Sequence, residues 1–117
     1  WIMIGDSIGA LSRYGTTLLC ARLFGTSFPY GTLAVNLGGC LLIGLALGLA
    51  ERGTAVSPAM KLFFVTGFLG ALTTFSTYAW ETTAALRDAT FATAITNIAV
   101  NNIAGLGLVL IGYWLVK

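Results

Sequence analysis

Four apolar stretches, each near the length of one bilayer crossing, account for almost the whole chain: residues 2–24, 32–50, 59–86 and 91–116. A crossing takes about 20 apolar residues, so the connections shrink to a few residues each. No room is left for a separate soluble domain. The 117 residues are 57% hydrophobic and only 9% charged, with mean hydropathy +0.91. A soluble domain carries about 25% charged residues. The expected fold is a single all-α integral membrane domain of four transmembrane helices over residues 1–117.

The connections are short turns. Phe28, Pro29 and Tyr30 lie between the first two segments, and both aromatics suit the membrane interface. Glu51, Arg52, Gly53, Ser57 and Pro58 mark the second turn, with Pro58 suited to the first turn of a new helix. Arg87 and Asp88 mark the third, and Lys117 is placed to snorkel at the end of the last span. The opening segment lacks a basic start and a small-residue cleavage site, so no cleavable signal is expected.

An even number of spans puts both termini on one side. Arg52, Lys61 and Lys117 then lie on that side, Arg22 and Arg87 on the other, and Arg13 within the first span. Orientation follows the Lys/Arg asymmetry of short loops, and here there is almost none. Two readings stay open: insertion both ways with pairing as an antiparallel dimer, or a weak but adequate orienting signal. Gly5 with Gly9, Gly44 with Gly48, and the pair Gly38-Gly39 suit close helix contact.

Some chemistries are disfavoured outright. A net charge of +2 is too small to suggest nucleic-acid binding. Histidine is absent, which removes the usual proton shuttle and the commonest transition-metal ligand. Cys20 and Cys40 fall in separate apolar segments without metal or redox spacing, and are expected to be inert packing residues.

The third segment reads as a broken helix. After Gly67 and Gly70 come Thr73, Thr74, Ser76 and Thr77 interleaved with Phe75 and Tyr78, where lipid-facing Leu and Val would be expected. Irregular backbone at membrane depth is tolerated only where protein buries it or a water-filled cavity lines it. The interruption is expected near residues 70–76, and its hydroxyls and carbonyls are suited to an ion site.

Other polar residues point to the same place. Asn36 lies early in the second segment and fits either interhelical glue or a donor at a pore wall. Thr93, Asn97 and Asn101 form a stripe on one face of the fourth helix, with Asn102 beside it. Such a stripe must meet protein or water. Phe75 and Tyr78 share a face, and ring edges are positive. Arg13 lies mid-span, Glu81 about a turn past the aromatic pair, and Asp6 near the start of its span. Donors, one deep positive charge and no acidic cage favour an anion over a divalent cation.

The pattern resembles the small bacterial fluoride channels called Fluc or CrcB. The resemblance runs through Gly9, Ala10, Arg13 and Tyr14; then Gly31, Thr32, Leu33, Val35, Asn36 and Gly39; then Gly67, Phe68, Gly70 and Thr73 to Thr77. It implies a multi-pass protein of the bacterial inner membrane, an antiparallel dual-topology homodimer with two pores. The implied activity is passive fluoride export that protects the cell. It further implies a structural Na⁺ at the dimer axis, held by the backbone carbonyls of Gly70 and Thr73. The implied pore residues are Asn36, Phe75, Ser76, Thr77, Tyr78 and Asn101, with Arg13 in a vestibule. The chain departs from the family in two places: Tyr78 stands where Phe is usual, and Asn101 where Ser is frequent. A competing architecture is the proton-coupled small multidrug exporter, also a four-helix dual-topology dimer. That chemistry needs a deep carboxylate in the first helix, where this chain has Arg13. A non-transporting packing subunit would explain the glycines but not the clustered donors.

Overall fold

The computed structural model describes residues 1–53, 56–88 and 90–116. The described residues form α1 (Ile2–Phe24), α2 (Tyr30–Glu51), α3 (residues 58–72), α4 (Phe75–Arg87) and α5 (Phe91–Val116). Helices α3 and α4 are two halves of one span, so the chain makes four helices with the third interrupted. Lys117, expected to snorkel, lies outside the described residues. The bundle is elongated, 49 × 28 × 23 Å.

Three of the four helices are long and apolar enough to cross a membrane: α2, the α3–α4 pair and α5. The fourth, α1, has 23 residues, about 34 Å at helical rise. Its length suffices, but Asp6, Arg13 and Arg22 lower its hydropathy.

Local chemistry sets the helix ends. Gly25 closes α1 with a positive φ of 82°, and its N–H donates to the Ala21 carbonyl at 3.0 Å. Phe24 and Phe28 both pack on Tyr30 there, with ring centroids 5.6 and 5.1 Å from its own. Ser57 caps α3, its hydroxyl accepting from the Met60 N–H at 3.1 Å, and Pro58 takes the first turn as expected. Within α3, Leu62–Leu69 runs in π-helical register, as does Val100–Ala104 within α5. Such wide turns often mark functional positions, and the second carries Asn101 and Asn102.

Packing relies on missing side chains. A methyl on Gly5 or Gly9 would fall on the carbonyls of Phe63 and Phe68, so α1 lies backbone-to-backbone on α3. Along α2 and α5, Gly44 and Gly48 face the carbonyls of Val109 and Tyr113, while Gly112 faces that of Leu41. Between apolar chains and lipid the hydrophobic gain is small, so close van der Waals contact holds these helices. At the outer end of this seam the Tyr113 hydroxyl bonds Glu51, and Arg52 Nη1 donates to the Val116 carbonyl at 3.2 Å. Cys20 and Cys40 are both free thiols.

The two central glycines differ sharply. Gly39 faces the Thr73 methyl, whereas a Cβ on Gly38 meets nothing within 4 Å. Gly38→Ala is therefore expected to leave thermal stability in detergent unchanged. Gly44→Ala should cost about 1–3 kcal/mol through overpacking, read as a lower melting temperature. Equal melting temperatures for the two variants would refute this account of the α2–α5 seam.

Candidate functional site

The third span breaks at Thr73 and Thr74, within the expected stretch but not at its glycines. Gly70 has ordinary helical angles, φ −60° and ψ −38°. Thr73 (φ −82°, ψ 155°) and Thr74 (φ −147°, ψ 120°) are extended. Neither is a residue that breaks helices by itself, although β-branching favours the extended form. Side chains supply what the backbone loses. The Thr74 hydroxyl caps α4, its Oγ1 accepting from the Thr77 N–H at 3.2 Å.

From α2, Asn36 grips the same residue twice. Its Oδ1 accepts from the Thr74 N–H at 2.8 Å and its Nδ2 donates to the Thr74 carbonyl at 3.1 Å. The side-chain amide thus pairs with the peptide group as a neighbouring strand would. The second Nδ2 hydrogen goes to Asn101 Oδ1 at 3.0 Å. Asn36 therefore joins α2 to the break, and it also lines the cavity beside the aromatic rings. Both amide hydrogens of Asn36 are engaged by the chain's own acceptors.

The diversion has a consequence for the carbonyls. In a continuous helix the Thr74 N–H would donate to the Gly70 carbonyl and the Thr77 N–H to the Thr73 carbonyl. Here those donors serve Asn36 Oδ1 and Thr74 Oγ1 instead. The two carbonyls that the resemblance assigns to Na⁺ are thereby relieved of their helical partners. Neutral oxygen donors of this kind suit a hard cation, so the residues present fit one.

The predicted site residues fall on two sides of the break. Asn36, Gly70, Thr73, Phe75, Tyr78 and Asn101 line a cavity of about 420 Å³ that has no charged side chain in its wall. Phe75 is 79% exposed, and its ring centroid lies 5.5 Å from that of Tyr78 at 53°. Thr77 faces the other way, into a cavity of about 230 Å³ shared with Arg13, Tyr14 and Glu81. Thr74 walls both. Ser76 is exposed and lines neither. Glu81 does not reach the aromatic pair's cavity. Its Oε1 is buried without a hydrogen-bond partner among the described residues, and such an oxygen calls for water. Glu81 also borders a third cavity of about 310 Å³ with Thr93, towards the α1–α2 turn.

The asparagine stripe on α5 behaves as one unit. Asn101 Nδ2 donates to both the carbonyl and Oδ1 of Asn97 at 2.9 Å. Asn97, 1% exposed, donates to Thr82 Oγ1 at 2.9 Å. Asn102 donates to the Tyr78 hydroxyl at 3.2 Å. Composition and spacing passed over Thr82, and showed Thr74 and Asn102 without their roles as helix cap and as partner of the Tyr78 hydroxyl. Thr74 was visible as a hydroxyl at a break. Thr82 carries no local signal, because its role lies wholly in what packs across from it.

Residues 1–113 match the family described as CrcB-like protein, Camphor Resistance (CrcB). The chain is 44% identical over 112 residues to a protein of Geobacter sp. (strain M21) named fluoride-specific ion channel FluC, covering 96% of this chain and 90% of the relative. Proteins of the same name in Salinibacter ruber (44% identity; 96% and 84% covered) and Maridesulfovibrio salexigens (41%; 96% and 89%) are similarly close. With a match over nearly its full length, on a bundle of apolar helices with the break in its third, the chain belongs to the CrcB family.

Proposed function

We propose that the chain is a fluoride-selective channel that lets F⁻ leave the cell passively, working as an antiparallel homodimer with two pores. It performs no catalysis. The observation that carries this reading is the amide-clamped break, which presents two aromatic rings beside a cavity whose wall is partly polar and carries no charge. The names of the relatives point to the same ion.

Fluoride is small and strongly hydrated, so a selective path must offer donors in place of water. Ring edges of Phe75 and Tyr78 attract an anion weakly without adding charge. Ser76 offers a hydroxyl on the exposed face of the break and Thr77 one in the cavity that holds Arg13, while Asn101, its amide engaged with Asn97, forms part of the polar wall of the passage. Arg13, in the neighbouring cavity, raises the local potential for an anion. Larger halides are turned away by a narrow passage and incomplete replacement of their water.

Partnering follows from what a single protomer leaves uncovered. Gly70, Phe75, Ser76 and Asn102 are all exposed at the break. Polar groups facing lipid are expensive, so a second protomer over this face relieves them. The flat Lys/Arg distribution permits that protomer to be inverted, with four spans in each chain. A Na⁺ held by the carbonyls of Gly70 and Thr73 from both subunits supplies a fixed positive charge that ties the two breaks together.

Purified protein in liposomes should release fluoride rapidly and chloride not at all, and Phe75→Ile should cut fluoride efflux at least about tenfold while the dimer persists on size exclusion. Chloride release by the wild type, or unchanged efflux in Phe75→Ile, would remove the ring edges from the mechanism. Replacing Na⁺ during purification by a bulky organic cation should lower the dimer's melting temperature. Indifference to that exchange would argue against the carbonyl site.

A further inference from the structure

The amides described above form a chain whose direction is fixed. The Thr74 N–H can only donate, so Asn36 turns its Oδ1 towards it and its Nδ2 towards Asn101. The Asn97 carbonyl can only accept, so Asn101 turns its Nδ2 there and its Oδ1 back to Asn36. Asn97 Oδ1 receives the same Nδ2, which leaves the Asn97 Nδ2 for Thr82 Oγ1. The Thr82 hydroxyl hydrogen then goes to the Tyr78 carbonyl at 2.9 Å. Backbone groups at Thr74, Asn97 and Tyr78 thus set the polarity of every link.

The circuit closes on itself in space. It leaves the break at Thr74, crosses to α2 at Asn36, passes down α5 through Asn101 and Asn97, and returns to α4 at Thr82. Its anchor residues are its driest: Asn97 is 1% exposed, Thr74 and Thr82 are 8%. Hydrogen bonds strung in one direction polarise one another, and a buried amide without a partner is costly.

We infer that Thr82 and Asn97 are positioning residues, which hold the Thr74 peptide group and the first turns of α4 in register through this one-way relay. They line neither the cavity beside the aromatic rings nor the one that holds Arg13. Their importance to conduction rests on the fluoride-channel reading, whereas the relay itself does not.

The test is hydrogen–deuterium exchange on the intact protein in detergent, followed by mass spectrometry of peptides covering residues 70–78. Thr82→Val keeps the shape and removes the hydroxyl, and should speed exchange there about three- to tenfold. Thr82→Ser should restore wild-type protection. Asn102→Ala serves as the control, since Asn102 joins α5 to the Tyr78 hydroxyl outside the relay, and should leave the break unchanged. If Thr82→Val alters only residues beyond 78, or Asn102→Ala acts as strongly, the relay is overturned. Asn97→Leu should reproduce Thr82→Val wherever it folds. Fluoride efflux on the same preparations should fall in Thr82→Val and recover in Thr82→Ser. A wild type without efflux would overturn the channel reading alone, because exchange at the break needs no fluoride.

Discussion

Everything distinctive about this bundle depends on one side-chain amide standing in for a stretch of helix. A break at membrane depth strands peptide groups that cost a few kcal/mol each when unpaired. Asn36 meets both backbone polar groups of Thr74, and the Thr74 hydroxyl in turn meets one of the free N–H groups, that of Thr77, in the first turn of the helix that resumes. The clamp works only because α2 comes close to the break, and glycine is what allows that approach. Gly39 lies against the Thr73 methyl, while Gly44, Gly48 and Gly112 let α2 and α5 meet backbone to backbone. Close packing brings the amide within reach, the amide stabilises the break, and the break turns two aromatic rings outward.

The same arrangement separates two environments with a single peptide unit between them. On one side lie the aromatic rings, Asn101 and the carbonyls freed of helical donors. On the other lie Arg13, Thr77 and the half-buried Glu81. An anion path needs weak, neutral coordination where it is narrow and a favourable potential nearby. In the proposed channel, Arg13 behind the Thr74 wall would provide that potential without a tight ion pair in the passage.

The two departures from the family pattern are each accommodated by a neighbour. The extra hydroxyl of Tyr78 receives the Asn102 amide, which fixes its ring relative to Phe75. Asn101, longer than serine, spans from Asn97 to Asn36 and completes a track that a hydroxyl could not bridge in the same way.

Apolar stretches, turn residues and the small-residue motifs determine the helices locally. The ends of α1 and α5 agree with the sequence reading, and α2 with the α3–α4 pair differs by a residue or two. These features are legible because helix formation in lipid depends on local composition and on backbone self-satisfaction. The interruption was visible too, but its cause was not. The glycines that announced it are helical, and the residues that carry it are held open from α2. Which polar residue is a clamp, which lines a cavity and which closes a relay depends on partners 15 to 65 positions away. Sequence determined that this chain must cross a membrane with a break among hydroxyls. Only the tertiary structure decided where donors and acceptors meet, because a hydrogen bond is fixed by direction and distance between helices that composition cannot orient.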